Sequence, residues 1–157
     1  MGPPPSRMSG VARLPYRHTQ RGTVLLVAFL ASAALGSVPV LLAGKVTLAA
    51  AVAALLTLLA LLFGSLTVEV DARHLRLRFG PGLVRASWEV ARIEEVVAVR
   101  TRWWHGWGIH LGFHGWLYNV SGFDAVELRL RGGKRVRIGT DRPDEFCAAL
   151  REAAGLP

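Results

Sequence analysis

The chain has a single cysteine, Cys147, so no intramolecular disulfide can form, and that usage suits a reducing compartment. Acid is absent from the first 66 residues; all 11 Asp and Glu follow Leu66. Carboxylate-based chemistry is therefore excluded from the N-terminal part. Lysine is nearly missing, with Lys45 and Lys134 set against 17 arginines, a bias that points to a GC-rich bacterial coding sequence. No serine–histidine–acid spacing, no glycine-rich phosphate loop before a helix and no convergent carboxylate pair occurs. The enzyme classes built on those parts are excluded, and neither a cofactor nor a small-molecule substrate is expected.

The most consequential absence is of charge. Residues 23–42 and 46–66 contain no Asp, Glu, Lys, Arg or His, and only Lys45 separates them. Twenty helical residues at ~1.5 Å each cover the ~30 Å of bilayer hydrocarbon. A soluble surface helix of that length carries a polar stripe, which neither run has. The pattern predicts a two-helix transmembrane hairpin with a loop of about three residues, hence antiparallel neighbours. With no ionisable group inside either span, a proton relay or ion path is excluded and an anchor is expected. A secretory signal is the competing reading of the first run, but that run exceeds the usual ~7–15 residue signal core and a second span follows it. Ala28, Ser32 and Gly36 on the first helix, and Ala53, Thr57, Ala60 and Gly64 on the second, follow helical spacing and are the expected contact stripe. Pro39 is expected to kink the first helix near its end.

Charge asymmetry sets the expected topology. Arg7, Arg13, Arg17 and Arg21 precede the hairpin, and Arg73, Arg76 and Arg78 follow it, against one lysine in the loop. Basic flanks stay on the cytoplasmic side, so a multi-pass inner-membrane protein with both termini cytoplasmic is predicted. Residues 1–22, with Pro3, Pro4 and Pro5 and four arginines, read as a disordered basic arm suited to anionic headgroups or to topology alone.

From residue 67 the hydrophobic period switches to two, and residues 67–157 read as a separate cytoplasmic domain. Val68 and Val70 alternate with Glu69 and Asp71, and Leu75, Leu77 and Phe79 with Arg76 and Arg78, before a Gly80-Pro81-Gly82 turn. Further strands fit residues 83–88 and 96–101. Val126, Leu128 and Leu130 then lead through Gly132-Gly133 to Val136 and Ile138. Asp141 is placed to cap a last helix, with Pro143 in its first turn and Phe146, Leu150 and Ala153 on one face. Six or seven short antiparallel strands closed by one C-terminal helix make a small α+β domain.

Three stretches carry a family resemblance. They are Leu75 to Val84 with its Gly-Pro-Gly turn; Trp88-Glu89-Val90 running to Ile93-Glu94-Glu95-Val96; and Gly106-Trp107-Gly108-Ile109 continuing through Gly115-Trp116-Leu117-Tyr118-Asn119-Val120-Ser121-Gly122 to Arg137-Ile138-Gly139-Thr140-Asp141. With the two-helix anchor, the chain resembles small bacterial membrane proteins with a pleckstrin-homology-like (PH-like) domain. His110 stands where such proteins are expected to carry arginine. The resemblance implies a bent antiparallel sheet or partial barrel capped by a helix, a binding or scaffolding role and no catalysis.

Two constellations are the candidate sites. Residues 103–116 concentrate four of five tryptophans and three of five histidines among four glycines. Trp103, Trp104 and Trp107 suit the headgroup layer or a partner surface, or else close an open barrel end. His105, His110 and His114 are imidazoles able to ligate a metal, though their spacing matches no closed site. The second constellation is Arg129, Arg131, Arg135 and Arg137, set by alternation on one outward face, suited to acidic lipid headgroups or an acidic protein partner, or else a solvated face partly neutralised by Glu127. A surplus of three positive charges over residues 67–157 lacks the footprint of a nucleic-acid binder. Self-assembly through a sheet edge or the tryptophan segment is the alternative function. Cys147 is expected to be a buried thiol, and Glu94 and Glu95 to cap a turn.

Overall fold

The apolar hairpin interrupts a pair of β-strands. In the computed structural model, which describes residues 15–100, 108–112 and 115–157, strand β1 (Tyr16–Arg21) runs into helix α1 (Thr23–Leu42), and helix α2 (Val46–Phe63) returns into β2 (Ser65–Val70). Strands β1 and β2 pair antiparallel along their whole length, from Tyr16 opposite Val70 to Arg21 opposite Ser65. At the base of the hairpin Gly22 N–H donates to the Gly64 carbonyl at 2.8 Å. A Cβ at Gly22 would lie 2.8 Å from the Phe63 carbonyl oxygen and 2.9 Å from Val120 Cβ, so only glycine fits this junction.

Four strands form the first sheet in the order β1-β2-β3-β4, with β3 at His74–Phe79 and β4 at Val84–Glu89. The second sheet takes the order β5-β8-β9-β7-β6, from β5 (Ile93–Arg100), β6 (Gly108–Gly112), β7 (Gly115–Asn119), β8 (Asp124–Leu130) and β9 (Arg135–Gly139). A 3-10 turn at Val90–Arg92 links the sheets, and helix α3 (Pro143–Ala154) packs on β5, β8 and β2. The core is the inward half of each alternating strand: Leu66, Val68, Leu75, Leu77 and Phe79 from one sheet, Val126, Leu128, Val136 and Ile138 from the other, and Phe146 and Leu150 from α3. As expected, Phe146 and Leu150 face inward from α3, and Pro143 opens it.

The helices pack on each other and, at their base, on the domain; beyond those contacts their surface is bare among the described residues. Both are long and apolar enough to cross a membrane. Side chains such as Leu35, at 76% exposure, and Leu42, at 83%, have no protein cover. Apolar surface of that extent is not sustained in water.

Several expectations are corrected. Residues 16–21 are not part of a disordered arm; they are the edge strand of the first sheet, with Tyr16 stacked on Phe146 at 5.9 Å between ring centroids. The domain therefore begins before the hairpin rather than at residue 67. Helix α2 stops at Phe63, not residue 66, because Ser65 and Leu66 are taken into β2, where Leu66 is fully buried opposite Phe79. Strand bounds move to Val84–Glu89 and Ile93–Arg100. The second sheet is mixed, since β7 and β9 pair parallel, with Trp116 opposite Val136 and Tyr118 opposite Ile138. Asp141 does not cap α3: its carboxylate meets His18 Nε2 at 2.5 Å, while Thr140 Oγ1 accepts the Arg142 N–H. The helix contact stripe is partly as expected: Ala60 is buried and Gly36 faces Val52, but Ala33 on α1 and Ala49 on α2 join the contact, whereas Ala28, Ser32 and Thr57 face outward.

Because β1 and β2 already meet across the helix junction, replacing residues 23–63 with a short Gly-Ser turn is expected to leave an ordinary β-hairpin and a soluble, cooperatively melting domain. A fragment starting at Ser65 lacks Tyr16 and Gln20 and is expected to melt lower or not to fold. Circular dichroism melts of the two proteins check this.

Candidate functional site

The ends of the two sheets nearest the helices form one surface. Gln20, buried on β1, donates from Nε2 to the Ser121 carbonyl at 2.8 Å and ties the first sheet to the turn after β7. Phe63, the last residue of α2, meets Phe79 at 5.8 Å between ring centroids, and Phe79 meets Tyr118 at 6.3 Å. Gly80 takes a positive φ of 47°, and a Cβ there would collide with the Leu61 and Leu62 carbonyl oxygens. The β3–β4 turn is thus seated against the last turn of α2, and Leu83 projects from it at 76% exposure.

The outward face of the first sheet carries arginines in register. Thr19, Thr67, Arg78 and Arg85 form one row across the four strands, and Arg17, Glu69, Arg76 and Ser87 the next. Arg21 stands one row closer to the helices. Glu69 takes Arg78 at 2.7 Å and Arg17 at 3.3 Å. Arg76 meets Asp71 at 3.0 Å. Arg85 Nε donates to the Gly82 carbonyl, and among the described residues Arg85 has no carboxylate partner. A groove of about 370 Å³ lies along this face, bordered by Glu69, Arg76, Arg78, Arg85 and Ser87. Among the described residues five arginines thus share this side of the sheet with three carboxylates, Glu69, Asp71 and Glu89, the last opposite His74 at the far end, which leaves a net cationic surface able to hold an anion.

The expected basic face on β8 and β9 is differently placed. Arg129 lies opposite Arg135, near the end of the second sheet remote from the helices, and Arg131 sits in the turn beyond Leu130. Arg129 meets Glu94 at 3.8 Å and Glu95 at 3.3 Å. Arg135 and Arg137 share Glu127 at 3.5 and 2.5 Å. Glu94 and Glu95 thus serve as ion-pair partners at the start of β5. Trp103, Trp104, Trp107, His105 and His114 lie outside the described residues. His110 falls on β6, and among the described residues no cluster of metal-ligating side chains occurs. The strands bordering the tryptophan segment end at the helix side of the domain: Arg100 pairs with Asp124 and Gly108 with Asn119. Trp116 stacks on Tyr118 at 6.3 Å and is 45% exposed, while Trp88 meets Tyr118 edge-on at 5.5 Å.

Titratable groups in the core are held protonated. Burial pushes the Cys147 thiol and the Tyr118 phenol up. Burial, with Glu145 adding, pushes Tyr16 up to about 12. Such shifts oppose nucleophile activation, which requires a lowered pKa.

The arginine face was only half legible. Arg76 and Arg78 stand out as outward residues, but Arg85 joins them only through the register of the Gly-Pro-Gly hairpin, in which residues equidistant from the turn become partners. Compared with protein-family models, curated proteins and solved structures, the chain matches none.

Asp71 is fixed as the carboxylate for Arg76. The Arg73 and His74 backbone N–H groups donate to its Oδ1 at 2.8 and 2.7 Å and, with Arg76 adding, hold its carboxyl below the usual range. A depressed folded pKa contributes stability above the unfolded value and loses it as pH falls through the folded value. Between about pH 5 and pH 3, the melting temperature of the hairpin-deleted domain is therefore expected to fall further than that of its Asp71→Asn variant. Equal slopes would assign Asp71 no such part.

Proposed function

We propose that the chain is a membrane-anchored PH-like binding or scaffolding module of the bacterial inner membrane, held on the cytoplasmic face and not catalytic. The observation that carries this reading is the insertion of an uncovered apolar hairpin between two hydrogen-bonded strands. A domain rooted at two adjacent points has little freedom to turn away from the bilayer, so a fixed surface of it faces the lipid. Two sheets closed by a C-terminal helix support the PH-like assignment. The functional partners under this reading are lipid headgroups beside the root and a protein bound on the outer surface. The strand ends bordering residues 101–107 sit at the helix side, which supports an interfacial part for Trp103, Trp104 and Trp107.

One observation favours the second reading, assembly with further copies. Ala28 and Ser32, one helical turn apart, face away from α2, and small residues on an outward stripe let another helix approach closely. Concentration-dependent assembly in detergent that Ala28→Leu with Ser32→Leu abolishes would select it.

Topology is the test of the main reading. Antiparallel pairing of Arg21 with Ser65 puts both ends of the hairpin on one side, and the arginine flanks choose the cytoplasm. A cytoplasm-only fluorescent reporter fused after Pro157 is expected to be bright, and a periplasm-only enzyme reporter silent. The reverse pattern would overturn the orientation.

A further inference from the structure

The rows on the outward face of the first sheet measure distance from the helices. Arg21 and Ser65 stand where the chain leaves the hairpin, and the row of Thr67, Arg78 and Arg85 follows two residues on, about 7 Å at the usual strand rise. The interfacial layer of a bilayer extends ~5–8 Å beyond the hydrocarbon on each side. Phe63 ends the apolar span, and the β3–β4 turn packs on the carbonyls of its last turn. Leu83, exposed on that turn, then has the hydrocarbon edge as its neighbour, and Arg78 and Arg85 come level with the phosphates.

The chemistry of the two arginines fits that position. Arg85 spends Nε on the Gly82 carbonyl, which holds the guanidinium in place, and its terminal nitrogens meet no acceptor among the described residues. Arg78, directly opposite, is oriented by Glu69. Ser87 supplies a hydroxyl on the same wall of the groove. Two positioned guanidiniums with a hydroxyl are a donor set for phosphate oxygens, which accept several charge-assisted hydrogen bonds at once.

We propose that the groove along β3 and β4, at Arg78, Arg85 and Ser87, holds the phosphate of an anionic phospholipid from the leaflet on the domain's side of the membrane. This rests on the membrane-anchored reading above. The arginines of β8 and β9 do not compete for the role, since Arg129, Arg131 and Arg135 stand at the end of the second sheet remote from the helices and Arg137 is held close to Glu127.

The test uses the full chain in a neutral detergent, titrated with phosphatidylglycerol or with phosphatidylcholine of the same acyl chains and read by native mass spectrometry. The anionic lipid is expected to bind about tenfold more tightly. Arg85→Gln removes no ion pair and is expected to lose most of that preference with the melting temperature unchanged; Arg78→Gln with Arg85→Gln loses all of it; Arg131→Gln keeps it. A preference that survives in the double variant overturns the site. Displacement of the lipid by an equal concentration of glycerol 3-phosphate overturns the lipid in favour of a soluble phosphate. Equal binding of the two lipids, with capture of a poly-glutamate peptide, overturns it in favour of an acidic protein. The anchored reading fails by a separate measure, release of the full chain from membranes by alkaline carbonate.

Discussion

The pairing of β1 with β2 across the root of the helical hairpin is the constraint on which the rest of the molecule depends. Two helices that enter and leave through hydrogen-bonded neighbours must have their outer ends on one side, a strand spacing of ~4.8 Å apart. The Gly22–Gly64 hydrogen bond and the absence of a Cβ at Gly22 allow the strands to stay paired up to the helix junction. A flexible linker would separate anchor and domain; here the β-ladder is continuous with the anchor.

That continuity transmits position into the domain. Because β2 leads directly out of α2, the adjacent β3–β4 turn packs on the helix end, and Phe63 continues the aromatic contacts into the core through Phe79 and Tyr118. Gln20 ties the second sheet to the same junction. Displacing the domain relative to the helices would break the ladder, the aromatic contacts and the Gln20 bond together, a cost of several kcal/mol at ordinary magnitudes for such interactions. The arginine face is therefore set by the fold at a fixed height above the root, and the apolar helix surface, bare of protein, is left to lipid.

Much of this was legible in the sequence, for identifiable reasons. The helices declare themselves by missing charge, and α3 by its apolar spacing and its proline in the first turn. Strands such as β3 and β8 declare themselves by strict alternation. Strand β1 was hidden because its inward side chains are Tyr16, His18 and Gln20, so its alternation is polar against polar and reads as a basic arm. The end of α2 was hidden because Leu66 suits a helix in lipid as well as a strand in a core. The parallel β7–β9 pair was hidden because it is non-local, created when β8 folds back through Gly132-Gly133 and sets β9 alongside β7. The arginine face shares the difficulty of pairing. Arg78 and Arg85 are ordinary outward residues taken singly, and they acquire a position relative to the helices only through the register of β2, β3 and β4 and the seat of the β3–β4 turn on α2.

The central claim is that the root of the hairpin holds the β3–β4 turn at the bilayer surface. Depth measurement tests it most directly, with a spin label at Leu83→Cys in a Cys147→Ser background, reconstituted in bilayers and read by collision with oxygen and with a water-soluble nickel complex. Lys134→Cys, on the β8–β9 turn at the remote end, is the comparison. Leu83 is expected to report headgroup depth, shielded from nickel and open to oxygen, while Lys134 reports bulk water. Equal nickel access at the two positions would contradict the account, because the turn would then stand free of the membrane and the arginine row with it.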